Sequence, residues 1–504
     1  MPLIVAIAVC ALAIWAGRPY AVGVYHDDGV YVILAKALAT GRGYRYLHLP
    51  GAPVAGHYPP AYPALLAMLW RVVPHFPANV RLFLLVNAVL LGVVTWYVQR
   101  VARRMLGWSD AAAAAVAIVG TATFPLLLLS GLVLSETLFL ACLMPALVAA
   151  ERVVAHRDDR SADATRRALW FGLAAGLVAL VRTNGLALAV AVVGLLVVRR
   201  RWRTAALSVL GVAAIVTPWQ LWVALHAGAL PPELQGAYGS YVDWFATGLR
   251  AAGPPVLTGT LMKNVSEIGA LFADRWSLSG IPTIRTATAL LAGTVFVAGA
   301  GRVGRRLPAT VAFAGVYLLV VLLWPFTPWR FVYAVWPVIV LCMAGAVEWA
   351  ARTRSRLGRT VGFAAVAMLF VGGCRAETLA YINRSWRSGT DQATIVIAPL
   401  IRWVSSHTAP TDVVAADGEQ VVYLATGRVA VPVAPFTAAE YVSPRTVAMN
   451  AASIAGLLRD TRPDYLVTIA PPLRDAARES AMYDAMPGAP RLVALDTVGQ
   501  IGAG

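Results

Sequence analysis

Long apolar runs separated by short polar segments dominate the first three quarters of the chain. Runs of 14–22 residues recur between Leu3 and Gly373, and each can cross, or nearly cross, the roughly 30 Å hydrocarbon core of a bilayer. The pattern predicts an all-α polytopic membrane bundle. We expect about eleven membrane helices, at 2–17, 82–98, 110–127, 135–150, 168–181, 185–198, 204–222, 286–301, 308–324, 331–350 and 360–374.

Two of these predicted helices are short for that thickness. Residues 168–181 and 185–198 meet at a polar break, Arg182-Thr183-Asn184. Because unpaired backbone groups are costly in lipid, we expect the break to lie inside the protein. A single bent helix is the alternative, although the charges on both flanks favour two helices.

The pattern changes from about residue 385. Short strand-like runs alternate there with two helical stretches, 392–406 and 445–459, which indicates a small α/β domain. The strand-like runs are 412–416, 421–424, 429–433, 465–469 and 492–495. We therefore divide the chain into a membrane domain, 1–375, and a C-terminal α/β domain, 376–504.

Composition and charge agree with a membrane protein. Of the 504 residues, 59% are hydrophobic and 13% are charged, whereas about 25% are charged in a typical globular domain. The net charge of +17 does not indicate a nucleic-acid partner, because residues 1–375 carry +19 and residues 376–504 carry −2. The basic excess therefore lies entirely in the predicted membrane domain.

The connecting segments alternate between basic and sparsely charged. The five segments 99–109, 151–167, 199–203, 302–307 and 351–359 hold 19 arginines in 48 residues. Since basic loops remain on the cytoplasmic side, the alternation predicts an inner N-terminus and an outer C-terminal domain. The long loops 18–81 and 223–285 then lie outside. With its abundant Ala and only two Lys, the composition is typical of a GC-rich bacterium, so we expect a multi-pass protein of the bacterial inner membrane.

Candidate chemistry comes from the few acids of the predicted outer side, because the sequence has no Walker loop, GxSxG, HExxH or paired CxxC motif. Asp27 and Asp28 follow the first span and precede a helical stretch, Tyr31 to Thr40. Two adjacent carboxylates there can hold a hydroxyl or a cation. The structural alternative is a helix cap, which Asp favours.

Glu136 and Arg330 are candidates at the outer starts of two spans. An ionisable residue at the start of an apolar span, such as Glu136, is costly and usually functional; a capping or snorkelling Glu is the alternative. Arg330 can bind an anion such as a phosphate, and anchoring in an aromatic belt is its alternative.

Four further residues are candidate substrate contacts. His57 and Tyr58 precede Pro59 and Pro60, and a rigid proline-dense segment can fix aromatic side chains in place; a purely structural role is the alternative. Arg182 lies in the polar break described above. Lys263, one of two lysines, lies in the second long outer loop.

Five motifs occur in order within residues 15–350: DDGVYVILAKALATGRGY, HYPPAYPALLA, LSETLFL, LVRTNG and PWRFVYAVWP. Together they resemble the integral-membrane GT-C glycosyltransferases, in particular the bacterial relatives of protein O-mannosyltransferases and aminoarabinose transferases. The resemblance implies transfer of a sugar from a polyprenyl-phosphate carrier to a protein, lipid or glycan on the outer face. It also agrees with an outer C-terminal domain, a common appendage in that group.

The resemblance implies roles for individual residues by position. Asp27 resembles the family's first-loop acid, a base or metal organiser on the acceptor side. Asp28 stands where Glu is frequent, which shortens the reach of the carboxylate by one methylene, and His57 stands where some members have an acid before the prolines. Both positions depart from the family pattern, and they are the candidates for holding a divalent metal ion, which the sequence leaves open. Glu136 resembles the second outer-loop acid, and Arg330 the arginine on the phosphate side.

The chemistry of such a transfer agrees with these residue types. A sugar phosphate already has a good leaving group, so the reaction needs a carboxylate base for an acceptor hydroxyl and positive charge for the departing phosphate. The sequence therefore predicts an inverting polyprenyl-phosphate-sugar glycosyltransferase. A lipid or glycan transporter or flippase is the alternative, although few polar residues lie within the spans and no internal repeat is clear. A non-catalytic membrane scaffold is a third interpretation.

Overall fold

The computed structural model describes residues 2–156, 158–226, 228, 230–433, 438–443, 445–467 and 482. Across these residues the chain is mostly helical, with one small parallel sheet formed after residue 412. The α-helices are α1 (Pro2–Ala16), α2 (Asp27–Ala39), α3 (Ala61–Val72), α4 (Val80–Arg104), α5 (Asp110–Thr121), α6 (Phe124–Ser130), α7 (Glu136–Ala155), α8 (Ala162–Val181), α9 (Leu186–Val198), α10 (Trp202–His226), α11 (Pro232–Tyr238), α12 (Tyr241–Ala252), α13 (Pro255–Trp276), α14 (Pro282–Val303), α15 (Pro308–Leu323), α16 (Trp329–Tyr333), α17 (Trp336–Arg352), α18 (Arg356–Asn383), α19 (Ser385–His407), α20 (Glu419–Thr426) and α21 (Val447–Thr461). The strands are β1 (Val413–Ala416), β2 (Val429–Val431) and β3 (Tyr465–Val467), and short 3₁₀ helices occupy Thr183–Gly185 and Ala438–Tyr441.

The chain folds into two compact units that differ from a simple division at residue 375. The first, which we call the membrane unit, comprises Met1–Arg18, Leu84–Leu221 and Thr260–Trp386. The second, which we call the loop unit, comprises Pro19–Phe83, Trp222–Gly259 and Arg387–Gly504. Most of the two long predicted outer loops therefore folds together with the described residues of the C-terminal segment.

The predicted helical runs all coincide with helices, which confirms a mostly helical, polytopic protein. Six described helices are long and apolar enough to cross a membrane: α4, α7, α8, α10, α14 and α18. The bent pair α5–α6 would make a seventh, and α1, α3, α9 and α15 are apolar but shorter. The count of eleven spans and the orientation of the chain stay predictions.

The predicted run 110–127 forms two helices, α5 and α6, instead of one, and its crossing of the membrane as one span stays a prediction. Helices α5 and α6 meet at an angle of 61°. The carboxylate of Glu377 accepts the backbone N–H of Phe124 at 2.9 Å, and the hydroxyl of Tyr381 donates to the carbonyl of Ala122 at 2.9 Å. Side chains of α18 thus bind backbone groups that the break removes from the helix ladder, which makes a bend tolerable in an apolar setting.

Small residues allow close helix packing within the membrane unit. A Cβ on Gly299 of α14 would overlap the carbonyl oxygen of Cys342 on α17, and one on Gly345 would lie 2.7 Å from the carbonyl oxygen of Gly299. In an apolar solvent, helices gain little from apolar burial alone, so close backbone approach of this kind contributes much of their association.

The sheet of the loop unit has the strand order β2–β1–β3, with both pairs parallel. Its core includes Val404 of α19, Val414 and Ala416 of β1, Val422 of α20 and Ala430 of β2. The α/β character and the helices predicted at 392–406 and 445–459 are thereby confirmed for this segment.

The strand predicted at 421–424 was wrong, because these residues belong to helix α20. Glycines at positive φ, Gly418 and Gly427, bound this helix on both sides, and glycine adopts that conformation without the usual steric cost. A four-residue apolar run has too few positions to distinguish strand from buried helix by periodicity. The strand predicted at 492–495 lies outside the described residues.

Candidate functional site

The loop unit places Asp27 and Asp28 in the first turn of α2, but gives them different surroundings. Asp28 is fully buried. Its Oδ2 accepts hydrogen bonds from the Tyr20 hydroxyl at 2.8 Å and the Gly23 N–H at 2.9 Å, and its Oδ1 accepts from the Tyr25 N–H at 3.1 Å. Burial raises the pKa of Asp28, and these hydrogen bonds oppose that rise. Asp28 therefore ties the segment before α2 to the start of the helix.

Asp27 is half-buried, and its Oδ1 accepts a hydrogen bond from the Tyr58 hydroxyl at 2.8 Å. The ring of Tyr58 is buried and packs edge-on against Tyr31, with ring centroids 5.3 Å apart. Burial, and then the charge of Asp27, raises the pKa of Tyr58 well above its ordinary value. Tyr58 is therefore a fixed, protonated donor that orients the Asp27 carboxylate. His26 occupies the N-cap position, and both acids lie in the first turn of α2.

His57 is buried beside Tyr58 and Tyr241. Its Nδ1 lies 2.6 Å from the carbonyl oxygen of Gly239, so Nδ1 carries the proton and donates it. Burial lowers the pKa of His57 to about 4, and the ring is therefore neutral at pH 7. The hydrogen bond from His57 to Gly239 thus fixes the proline-dense segment in addition to the prolines themselves.

The residues present do not fit a divalent metal site built on Asp28 and His57. Both oxygens of Asp28 already accept hydrogen bonds from the loop. Among the described residues, no group of three or more His, Cys, Asp or Glu side chains is placed to hold a metal ion. We therefore assign no step to a metal ion.

A second polar cluster of the loop unit was not foreseen from the sequence. The Tyr238 hydroxyl donates to Glu419 Oε1 and lies 2.9 Å from His48 Nε2. The amide of Gln420 donates to Glu419 Oε1 at 2.9 Å and to His26 Nδ1 at 2.7 Å. Burial raises the pKa of Glu419 and lowers that of His48 to about 3. In the sequence, the only sign of this cluster is the polar pair Glu419-Gln420 between two apolar runs. Its partners lie far away along the chain, so no motif spacing links them to the pair.

The membrane unit brings together three candidates from three separate motifs. Glu136, the first residue of α7, is 1% exposed, and its Oε1 lies 2.9 Å from Arg182 Nη1 and 2.9 Å from Arg330 Nη2. Arg330 Nε also donates to this oxygen at 3.0 Å, and Arg182 donates to the Ser135 hydroxyl at 3.0 Å. A single buried carboxylate thus holds two guanidinium groups, and the three side chains together carry one net positive charge.

Local structure explains how the two arginines reach Glu136. Arg182 is the C-cap residue of α8, at the polar break before α9. Arg330 lies in the short helix α16, and the loop before it is fixed by Asn264, whose amide donates to the carbonyls of Val321 at 2.9 Å and Trp324 at 2.8 Å. Neither arginine is fully enclosed: the side chain of Arg182 is 11% exposed and that of Arg330 is 20% exposed. Part of each side chain therefore remains in contact with solvent while it is bound to Glu136.

Lys263, the remaining candidate, is exposed on α13 one residue before Asn264. The structure places Lys263 on a helix of the membrane unit. Its contact with a substrate stays a prediction.

The fold is similar to that of solved oligosaccharyltransferase structures. The oligosaccharyltransferase AglB from Archaeoglobus fulgidus, in complex with an inhibitory peptide and a dolichol-phosphate, matches with 12% identity over 93% of this chain and 69% of its own, at a TM-score of 0.50. An Archaeoglobus fulgidus oligosaccharyltransferase in complex with zinc and sulfate matches with 14% identity over 92% and 67%, at a TM-score of 0.53. ArnT from Cupriavidus metallidurans, bound to undecaprenyl phosphate, matches with 16% identity over 94% and 93%, at a TM-score of 0.42.

No family model and no curated protein sequence matches the chain. The likeness to the oligosaccharyltransferases is therefore one of fold, and it extends over more than nine tenths of the chain. It confirms, for the fold alone, the architecture that the sequence resemblance implies.

Proposed function

We propose that this chain is an inverting glycosyltransferase, which moves a sugar from a polyprenyl-phosphate donor to an acceptor hydroxyl on the outer face of the membrane. The observation that carries the proposal is the half-buried Asp27 carboxylate, oriented by Tyr58 at the start of α2, in a chain with the fold of membrane glycosyltransferases. A protein, a lipid or a glycan can supply the hydroxyl. The related AglB structure contains a dolichol-phosphate and a peptide, which supports this donor class.

The proposed reaction is a single displacement. The Asp27 carboxylate takes the proton of the acceptor hydroxyl, and the oxygen of that hydroxyl forms a bond to the anomeric carbon. The bond from that carbon to the phosphate oxygen breaks, and the phosphate leaves with the electron pair. Attack opposite to the leaving group inverts the anomeric centre. Because a phosphate is already a good leaving group, the reaction requires no general acid.

We assign the leaving phosphate to Arg182 and Arg330. Planar guanidinium groups bind phosphate oxygens in pairs of charge-assisted hydrogen bonds. Glu136 holds both groups in place from one side, and a single carboxylate balances only one of their two charges. The remaining positive charge favours an anion. In this assignment Glu136 positions the arginines and does not itself transfer a proton.

We further propose that the protein lies in the bacterial inner membrane with the loop unit outside. Arginine-rich segments alternate with sparsely charged ones along the chain, and basic loops remain on the cytoplasmic side. Reporter fusions after Arg359 and after Arg384 should report opposite sides. The same side for both would remove α18 as a span and overturn the outer placement of the C-terminal segment.

The function is tested with purified protein reconstituted in liposomes and a panel of radiolabelled polyprenyl-phosphate sugars. We expect one sugar to appear on an acceptor from a membrane extract. Movement of the labelled lipid between leaflets without transfer would instead support a flippase. No transfer and no movement with any member of the panel would support a scaffold and contradict the proposal.

A further inference from the structure

The residue before the candidate base has an unusual backbone. His26 has φ 62° and ψ −70°, and the N–H of Asp27 donates to the carbonyl of Tyr25 at 2.7 Å across it. This is a γ-turn with positive φ at its central residue, a rare and strained conformation. Such strain persists only where the surroundings enforce it, and it concentrates at functional positions.

The surroundings that enforce this turn come from helix α20. The Gln420 amide, which is fully buried, donates to His26 Nδ1 at 2.7 Å. Glu419 Oε1 lies 4.0 Å from the same nitrogen. The Tyr238 hydroxyl binds both Glu419 and Gln420. The side chain of His26 is thus bound by a segment almost 400 residues away in sequence. This contact fixes the imidazole ring and, through it, the turn.

Two glycines make this contact between α20 and the turn possible. A Cβ on Gly29, in the first turn of α2, would lie 2.5 Å from Gln420 Cβ. A Cβ on Gly23, whose φ is +111°, would lie 2.8 Å from the backbone nitrogen of Val421. Any larger residue at either position would push α20 away from the turn. The start of α20 therefore packs directly against the segment around His26 and Asp27, at a distance that only glycine at positions 23 and 29 allows.

We propose that Gln420 and Glu419 are positioning residues for the Asp27 carboxylate: they hold His26 in its strained turn and so set the direction of the first turn of α2. The C-terminal segment thereby contributes to the reaction without contacting the substrate. This inference rests on the proposed function, because it gives Asp27 a reaction to perform. It assigns to the C-terminal α/β segment a purpose beyond packing.

The test uses Gln420→Ala and Gly29→Ala in the full-length protein. In a helix Ala is more favourable than Gly, so a loss in Gly29→Ala reports the overlap of the added Cβ with Gln420 Cβ and with Gly23 Cα, 2.7 Å away; Gln420→Ala separates the two contributions. The matched controls are Gln235→Ala, which changes an exposed glutamine of the loop unit, and Gly269→Ala, where nothing lies within 4 Å of the added Cβ. Two quantities are measured: kcat and KM for sugar transfer, and hydrogen exchange of the amides of residues 27–30.

We expect both variants to lower kcat on the order of 10- to 100-fold, since a displacement of about 1 Å has effects of that size, with KM for the donor lipid unchanged. The amides of residues 27–30 should exchange faster than in the controls. Wild-type kcat and exchange in both variants would overturn the inference. If the wild-type protein transfers no sugar, the proposed function fails, and the exchange rates still decide whether α20 holds the turn.

Discussion

Asp27 and Glu136 each stand in the first turn of a helix, one in the loop unit and one in the membrane unit, and their partners differ. Asp27 is half-buried and accepts a hydrogen bond from a neutral tyrosine. Glu136 is 1% exposed and binds two guanidinium groups through one oxygen. The two carboxylates thus differ in the charge of the groups described beside them: two guanidinium cations for Glu136 and a tyrosine hydroxyl for Asp27. We propose that this difference, and not the place on the helix, makes Asp27 the base and Glu136 a counterion.

The largest effect that this comparison predicts is on stability, in Glu136→Ala. The change leaves Arg182 and Arg330 without their shared counterion, and breaking a buried ion pair from one side costs about 3–5 kcal/mol. Denaturant unfolding of the purified protein should show this loss, which should far exceed that of Asp243→Ala, an exposed acid of the loop unit. Unchanged stability would mean that the two arginines do not depend on Glu136.

Arg330→Ala separates binding of the phosphate from folding. We expect transfer to fall by an amount equivalent to about 2–4 kcal/mol, because one charge-assisted contact to the leaving group is lost. Arg330→Lys should retain part of the activity, since it keeps the charge but not the paired geometry. An Ala variant with wild-type turnover would make Arg330 a membrane anchor.

Acid should weaken the loop unit before the membrane unit. Burial lowers the pKa of His57 to about 4 and that of His48 to about 3, against about 6.5 for an unfolded histidine. The unfolded chain therefore binds protons first as the pH falls, and stability is lost between about pH 6.5 and pH 4, on the order of 1–3 kcal/mol. Hydrogen-exchange protection factors, which correct for the intrinsic dependence of exchange on pH, should be lower at pH 5 than at pH 7 in residues 44–62, and His57→Gln should reduce the difference. Equal protection factors at both pH values would contradict the assignment of buried neutral rings.

Asp28→Asn should have a smaller effect than the corresponding change at Asp27. An amide cannot accept all the hydrogen bonds from Tyr20, Gly23 and Tyr25, and one unmatched buried donor costs about 1–3 kcal/mol. We expect a lower thermal midpoint with turnover reduced less than in Asp27→Asn. Turnover reduced more than in Asp27→Asn would exchange the proposed roles of the two acids.

The sequence allowed the helical bundle and the α/β segment to be predicted, because both depend on local pattern. It also supplied Asp27, Glu136 and Arg330 as candidate site residues, and their roles stay predictions. It did not reveal that Glu136, Arg182 and Arg330 bind one another, since they come from three motifs whose spacing along the chain says nothing of contact. The contact of Gln420 with His26 joins residues 394 positions apart, and neither has a sequence signature. Asp27 and Asp28 are neighbours in sequence, so only the hydrogen bonds of the folded loop distinguish them.

The central claim, that Asp27 is the base, is tested most directly by turnover of Asp27→Asn with donor binding measured on the same preparation. The substitution keeps the size of the side chain and removes its negative charge. We predict that transfer falls about 10²- to 10⁴-fold, while the donor lipid binds as in the wild type and the control Asp243→Asn remains active. Normal transfer by a folded Asp27→Asn protein that binds the donor would contradict the account and assign the base to another residue.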